Sequence, residues 1–291
     1  MKKTFNTIGL VGRHRHDETR KTFEQLIAFL HTQHKQVLLE KETAEFLSFP
    51  SLKAVEKNAL GNLCDLIIVV GGDGSLLHAA HALVESKTPI LGINRGRLGF
   101  LTDIKPNEIE NKLLSIFEGH YTEESRFLLE TTIQNQAHAP AYALNDIVLA
   151  TGDAAHMIEF EVYVNNSFVW SERSDGLIVS TPTGSTAYAL SGGGPIIHPS
   201  LNAILLVSMF SHTLNSRPIV IPGDSQISIK LGEETFSHSP RITADGTAYH
   251  SINAHEEMHI HKKNEPLTLI HPADYNYFEN VRSKLYWGQK L

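Results

Sequence analysis

The sequence predicts an α/β N-terminal domain on a parallel, doubly wound-like sheet, followed by a mostly β C-terminal domain. Three observations carry that reading. Over about the first 120 residues, short apolar runs alternate with segments whose apolar residues recur at helical spacing, as parallel strands with intervening helices require. The most apolar of these runs passes directly into a glycine loop, "LIIVVGGDGS", and loops at the carboxyl ends of parallel strands are where α/β sheets bind ligands. Beyond Tyr121 the alternation shortens to every second residue, the period of a half-buried strand.

Taken in order, residues 7–11 form a strand, and 17–33 a helix with Phe23, Leu26, Ile27 and Leu30 on one face. "QVLLE" is a strand, 51–60 a helix, 66–70 a buried strand, 75–85 a helix and "PILGI" at 89–93 a strand. A helix over 107–117 shows Ile109, Leu113, Ile116 and Phe117 on one side and ends before Gly119, the residue type that closes helices in a left-handed turn. The strands that follow are "ALNDIVLA", "HMIEFEVYV", "SFVWSE", "GLIVS", "AILLVS", "PIVIP", "QISIKL", "RITAD" and "PLTLIH". Asn165-Asn166, between two of them, predicts a tight hairpin turn. The expected divisions are 1–120, 121–270 and a C-terminal segment 271–291.

Composition narrows the function classes. The 291 residues carry 25 Lys+Arg against 32 Asp+Glu, a net charge of -7 with no long basic run, which argues against a nucleic-acid or anionic-membrane partner. The apolar stretch near the N-terminus is too short and too soon broken for a signal peptide, and no run reaches membrane-spanning length. Cys64 is the only cysteine, which excludes an intrachain disulfide or a cysteine zinc cluster and suits a reducing, cytoplasmic setting. Placed before "LIIVV", it reads as a small buried hydrophobe. Of the 17 histidines, His259 and His261 share a strand face, yet no third ligand stands near them and no metal site is assigned.

Five stretches carry chemistry. "GGDGS" lacks the third glycine of a dinucleotide fingerprint and the lysine of a P-loop. Its Asp73 either caps the following helix or does work on a phosphate-bearing ligand, beside which a carboxylate costs Coulomb energy, about 1 kcal/mol per pair at contact in water. "RSDGLIVSTPTGSTAYALSGGGP" either offers the hydroxyls of Thr181, Thr183, Ser185 and Thr186 to a ribose, Tyr188 to a base and glycines that let a ligand approach the backbone, or is a long glycine-rich loop with no ligand, which its flanking Asp175 and Tyr188 disfavour. In "ALNDIVLA", Asn145 and Asp146 interrupt an apolar strand, as a buried amide reading a base edge would, or as a turn or bulge would. "GINRGRLGFLTD" places Arg95 and Arg97 in a glycine-broken loop after a strand, where they either meet phosphate bidentately or, as surface arginines do, meet only water, with Phe100 and Leu101 packing. "TADGTAY" is a turn and a candidate rim of the same site.

These motifs, with "HPADYNYF" near the end, occur in an order and over a span that resemble a bacterial NAD kinase. "GGDG" alone is shared with diacylglycerol, sphingosine and phosphofructokinase-like kinases, so a lipid kinase remains the enzyme alternative and a non-catalytic dinucleotide sensor the other. The hydroxyl-rich block is what makes the resemblance specific. It implies transfer of the ATP γ-phosphoryl group to the 2′-hydroxyl of the adenosine ribose of NAD, with Mg²⁺ accompanying ATP. It also implies a C-terminal segment returning to the first domain and a homo-oligomer, commonly a tetramer. By motif position it assigns Asp73 as the catalytic acid–base group or a Mg²⁺ ligand. Gly74, His78, Asn145, Asp146, His156, Arg173 and Asp175 become nucleotide-binding residues, with Thr186, Ala187, Tyr188, Ala189, Leu190, Ser191 and Thr247. Two positions depart from the family: Ser75 stands where Thr or Asn is frequent, and Thr247 where Gln is.

Overall fold

The computed structural model describes residues 4–12, 17–47, 52–95, 99–134, 139–152, 156–213, 215–232, 235, 240–252 and 256–287. The chain divides into two compact units, Met1–Ser125 with Leu267–Leu291, and Arg126–Pro266.

The first unit runs β1 (Thr7–Gly12), α1 (Asp17–Thr32), β2 (Gln36–Glu40), α2 (Lys41–Leu47), β3 (Lys53–Val55), α3 (Lys57–Leu63), β4 (Leu66–Gly71), α4 (Asp73–Ala82) and β5 (Ile90–Asn94). A single 3-10 turn at Pro106–Glu108 leads into α5 (Ile109–Phe117), then β6 (Tyr121–Arg126). Two late elements complete it, β19 (Leu267–Pro272) and α7 (Tyr277–Leu285). The seven strands form one sheet in the order β3-β2-β1-β4-β5-β19-β6. Neighbours from β3 through β19 run parallel. The predicted apolar stripe of α1 is the packed one: Phe23, Leu26 and Leu30 are fully buried against Leu10, Leu39 and Ile68 of the sheet and Leu113 of α5.

Several expectations are corrected. The helix expected over 51–60 is instead β3 followed by α3, because Lys53 and Ala54 pair with Leu38 and Leu39 at the edge of the sheet, a tertiary contact that overrides local propensity. The short helix α2 had no expectation. Helix α4 begins at Asp73 rather than Ser75, with Gly72 extended at its N-cap, so two glycines of poor intrinsic propensity belong to the loop-to-helix transition. "PLTLIH", grouped with the β-rich strands by its alternation, is β19 and lies in the first unit's sheet, where Leu269 pairs with Ile90. Its near-continuous burial is the mark of a strand covered on both faces.

The second unit contains β7 (Leu129–Ile133), β8 (Ala141–Ala143), β9 (Asp146–Ala150), β10 (Ile158–Val164), β11 (Ser167–Ser174) and β12 (Gly176–Ser180). After a 3-10 turn at Gly184–Thr186 come α6 (Tyr188–Ser191), β13 (Ala203–Met209), β14 (Ile219–Pro222), β15 (Ile227–Leu231), β16 (Arg241–Ala244), β17 (Thr247–Ser251) and β18 (Glu257–Lys262). They make two six-stranded antiparallel sheets, β11-β10-β15-β18-β7-β8 and β14-β13-β12-β9-β16-β17. Phe160, Ile227 and Met258 of one sheet meet Ile147, Leu177 and Ile204 of the other in a common core. The predicted turn is present: Asn165 and Asn166 take φ of 52° and 64°, the left-handed pair that a two-residue hairpin needs. "ALNDIVLA" is broken into β8 and β9 by a bend at Leu144 and Asn145, the turn alternative for that stretch. Cys64 is buried and its thiol is pushed up to about 12, by desolvation first and by Asp65 second, as suits a packing residue.

In the first unit, His271 at the end of β19 is 1% exposed and lies between two carboxylates. Its Nδ1 contacts Asp103, and its Nε2 lies 3.0 Å from Glu124 Oε2 on β6. Its ring stacks on Tyr275 at 3.9 Å. Burial lowers its proton affinity, but hydrogen bonds and charge from Asp103 and Glu124 outweigh burial and leave the pKa raised. A pKa raised on folding contributes stability that is complete below the unfolded value, about 6.5, and is lost as pH rises through the folded value. Denaturant midpoints should therefore fall as pH rises from about 6.5 through the raised folded value, and His271→Gln should flatten that fall. A variant that keeps the parent's slope would remove His271 from this role.

Candidate functional site

In the first unit, β4 delivers the chain to Gly71, Gly72 turns it, and Asp73 opens α4. A Cβ built on Gly72 or Gly74 meets nothing within 4 Å, so both glycines border open space at a helix N-terminus, where backbone N–H groups and the helix dipole favour anions. Asp73 does not cap its own helix. Its carboxylate reaches across to the segment after β5, accepting from the Phe100 N–H at Oδ2 (2.8 Å) and the Leu101 N–H at Oδ1 (3.0 Å). Each oxygen keeps a lone pair for a further donor or a cation. Gly99 makes room for this arrangement: a Cβ there would lie 2.0 Å from Asp73 Oδ1.

The segment following β5 is tied back on both sides. Arg95 N–H donates to Gly71 O (3.1 Å), and the buried Asn94 donates from Nδ2 to Thr102 Oγ1 (3.0 Å). Arg95, a candidate for phosphate, pairs with Glu18 at 2.9 Å. Arg97 lies outside the described residues. Phe100 is half-buried under Lys284 Nζ, 5.7 Å from its ring, and Leu101 is buried, as expected. His78 is half-buried on α4.

In the second unit, the "STPTGSTAYALS" stretch turns back against the bend at Asn145. Its hydroxyls are not displayed to a ligand as expected. Thr181 donates to Leu144 O and accepts from Gly184 N–H, Ser185 donates to Pro182 O, Thr186 donates to Thr183 O, and Thr183 Oγ1 accepts from Arg126. A glycine-rich turn has few side chains to pack, and internal hydroxyl bonds are what give it one shape. Gly184 is required there, since a Cβ would come within 2.1 Å of Asn145 O. What the turn presents outward is Tyr188, 48% exposed, and Ser191, while Ala189 is anchored in the core and Thr186, Ala187 and Leu190 are half-buried.

Asp146, the first residue of β9, is only 5% exposed. Burial raises its pKa first, the nearby Asp245 carboxylate raises it further and the Tyr188 backbone N–H lowers it, leaving it at about 7. Asp245, read from sequence as part of a turn, does more than turn. Its carboxylate accepts from the backbone N–H groups of Leu144 (2.8 Å), Asn145 (2.8 Å) and Asp146 (3.1 Å). Arg173 is exposed, and its carbonyl accepts from His212 N–H (3.0 Å); Asp175 N–H donates to Met209 O (2.9 Å). His156 precedes β10 and Thr247 opens β17, both exposed. His259 is engaged with Ser228 Oγ at 3.0 Å. The structure thus gathers Asn145, Asp146 and the Tyr188 turn with Asp245, and separately gathers Asp73 with Gly99 to Leu101. Reasoning from sequence missed Gly99 and Asp245 as partners, for which the only local signals were a glycine in "RLGFL" and an Asp-Gly pair.

Comparison with known proteins follows the same lines. The ATP-NAD kinase N-terminal domain family matches residues 8–121, and the ATP-NAD kinase C-terminal domain family residues 144–272. An NAD kinase of Cellvibrio japonicus (strain Ueda107) is 51% identical over 294 residues, covering 99% of this chain and 98% of that protein. One of Coxiella burnetii (strain RSA 493 / Nine Mile phase I) is 50% identical over 291 residues, covering 99% and 97%. Among solved structures, yeast NADH kinase complexed with NADH shares the fold at a TM-score of 0.90 with 23% identity, over 99% of this chain and 90% of that one. An NAD kinase from Archaeoglobus fulgidus in complex with ATP aligns at a TM-score of 0.76 with 26% identity, over 95% and 99%.

Proposed function

The chain belongs to the ATP-NAD kinase family and is an ATP-dependent NAD kinase, and from that premise we propose how its residues divide the reaction. The observation that carries the proposal is the Asp73 carboxylate at the mouth of an open glycine loop and a helix N-terminus. The loop's backbone N–H groups receive a diphosphate that approaches over Gly72 and Gly74. Asp73, anchored by two backbone N–H groups, spends its remaining acceptor capacity on the reaction. A ribose hydroxyl is a poor nucleophile at neutral pH, and a fixed carboxylate takes its proton as attack on the phosphoryl group proceeds.

The donor set also fits a divalent cation brought by ATP. Asp73 keeps acceptor capacity on both carboxylate oxygens, and Mg²⁺ commonly rests on one or two carboxylates plus substrate phosphates and water. When bound, Mg²⁺ offsets the phosphate charge that would otherwise repel Asp73. Either role makes Asp73 essential. In the second unit, Asn145, Asp146 and the turn from Thr186 to Ser191 hold the dinucleotide, Tyr188 offering its exposed ring to a base. His78, His156, Arg173, Asp175 and Thr247 are assigned supporting contacts.

The direct test is purified protein with NAD and Mg-ATP, NADP being measured with an enzyme that accepts only NADP. No NADP above a protein-free control would sink the proposal. Saturating NAD should raise the melting temperature, since a ligand that binds only the folded chain stabilises it by mass action. A shift with diacylglycerol or sphingosine and none with NAD would point to a lipid kinase.

Asp175 carries a further expectation. In the family resembled, its counterpart lies at the nicotinamide end of the ligand, and a carboxylate within about 5 Å of the cationic ring favours NAD over NADH by on the order of 1 kcal/mol. The ratio of kcat/KM for NAD to that for NADH should exceed one and fall in Asp175→Asn. A parent that prefers NADH, or a variant with the ratio unchanged, would refute this. We also propose a cytoplasmic homotetramer. The lone free Cys64 suits a reducing compartment, and sedimentation equilibrium at working concentration reports the subunit number.

A further inference from the structure

We propose that Asp245 is a positioning residue of the nucleotide site, fixing the backbone of 144–146 and making Asp146 the neutral, hydrogen-bond-donating member of a carboxyl pair. This rests on Asp146 meeting the dinucleotide, as proposed above. The geometry begins in the turn. Asp245 and Gly246 have φ of 48° and 73°, the two left-handed residues of a tight hairpin joining Ala244 to Thr247. An Asn-Gly pair would make the same turn. Asp places a carboxylate there, and the turn aims it at the start of β9. Three backbone N–H groups converge on it, at 2.8, 2.8 and 3.1 Å, the last belonging to Asp146 itself.

Asp146 therefore sits buried beside a carboxylate that is already stabilised by three donors. Asp146 is buried and Asp245 half-buried beside it; two such carboxyls are not both readily ionised, and the proton goes to the member with fewer donors. Asp146 has the Tyr188 N–H from α6, with Ser180 paired opposite on β12. Arg126 Nη1 donates to Thr183 Oγ1 at 3.1 Å. The proton affinity of Asp146, at about 7, agrees with this assignment. A neutral carboxyl donates an O–H to a hydroxyl or carbonyl oxygen of the ligand, and it does so without repelling the ligand's phosphates.

The test uses the full chain. Carbon-detected NMR of ligand-free protein should show Asp146 titrating near neutrality, and Asp245→Asn, which Asn's tolerance of left-handed φ allows, should lower that midpoint by on the order of one pH unit. In the parent, KM for NAD should rise on the alkaline side of the midpoint, approaching tenfold per pH unit. In Asp146→Asn, whose amide donates at every pH, KM should lose that dependence. A parent Asp146 titrating in the ordinary carboxylate range, or a midpoint unmoved by Asp245→Asn, overturns the pairing. If Asp245→Asn does not fold, an alkaline rise in KM that persists in Asp146→Asn overturns it. If Asp146→Asn matches the parent in KM at every pH while the NMR midpoint stays near neutral, the placement of Asp146 at the NAD site fails and the proposal with it, whereas an unmoved midpoint fails the pairing alone.

Discussion

Asp73→Asn should lower turnover by about 100-fold or more, the scale on which a positioned acid–base group acts, with NAD binding retained. Asn keeps the shape of the side chain. Its oxygen can still accept from one of the two backbone N–H groups that hold Asp73, at Phe100 and Leu101, while its amide faces the other, donor against donor. The variant therefore loses a charge and one anchor together. The two losses separate by measurement: a missing proton acceptor or cation ligand lowers kcat, while a loosened segment after β5 lowers the melting temperature and raises KM. Near-normal kcat in Asp73→Asn would end both roles proposed for it.

Gly99→Ala should approach the same loss without removing any charge. The added methyl would stand 2.0 Å from Asp73 Oδ1 and 2.4 Å from Thr102 Oγ1, and real contacts of that kind do not occur, so the carboxylate must move. A displacement of about 1 Å in a reacting group can cost on the order of 100-fold in rate. Combining the two substitutions provides the check. If Gly99 acts through Asp73, the double variant is no slower than Asp73→Asn alone. A double variant slower by the product of the single effects would show that Gly99 acts elsewhere, and a fully active Gly99→Ala would show that the carboxylate tolerates the shift.

Much of the architecture is legible in the chain because it rests on local periodicity. Phe23, Leu26 and Leu30 announce α1, the unbroken apolar run announces β4, and Asn165-Asn166 announces a turn that only left-handed residues make. What is not legible involves partners distant in sequence. The alternation of "PLTLIH" shows a strand but not which sheet receives it. Asp73 stands out in its loop, yet its donors lie at Phe100 and Leu101, and nothing local links the two. The hydroxyls of the 181–186 stretch suggest chemistry toward a ligand, whereas packing a glycine-rich turn against the bend at Asn145 employs most of them within the protein. Asp245 is the same case in reverse, an ordinary turn residue whose carboxylate organises a strand about 100 positions earlier.

The place of β19 between β5 and β6 bears on how the chain is made. Emerging from the ribosome, residues 1–125 contain six of the seven strands of their sheet. The strand that pairs with β5, through Leu269 and Ile90, arrives only after the whole of 126–266 has been synthesised. The interrupted unit must hold a raw edge on β5 in the meantime, and such edges recruit neighbouring chains into aggregates. The uninterrupted unit has no such wait and can fold while translation continues. Closing so long a loop slows the final pairing, since contacts between residues far apart in sequence form late. A nascent chain stalled before residue 267 should therefore display a protease-resistant second unit joined to a protease-sensitive first one.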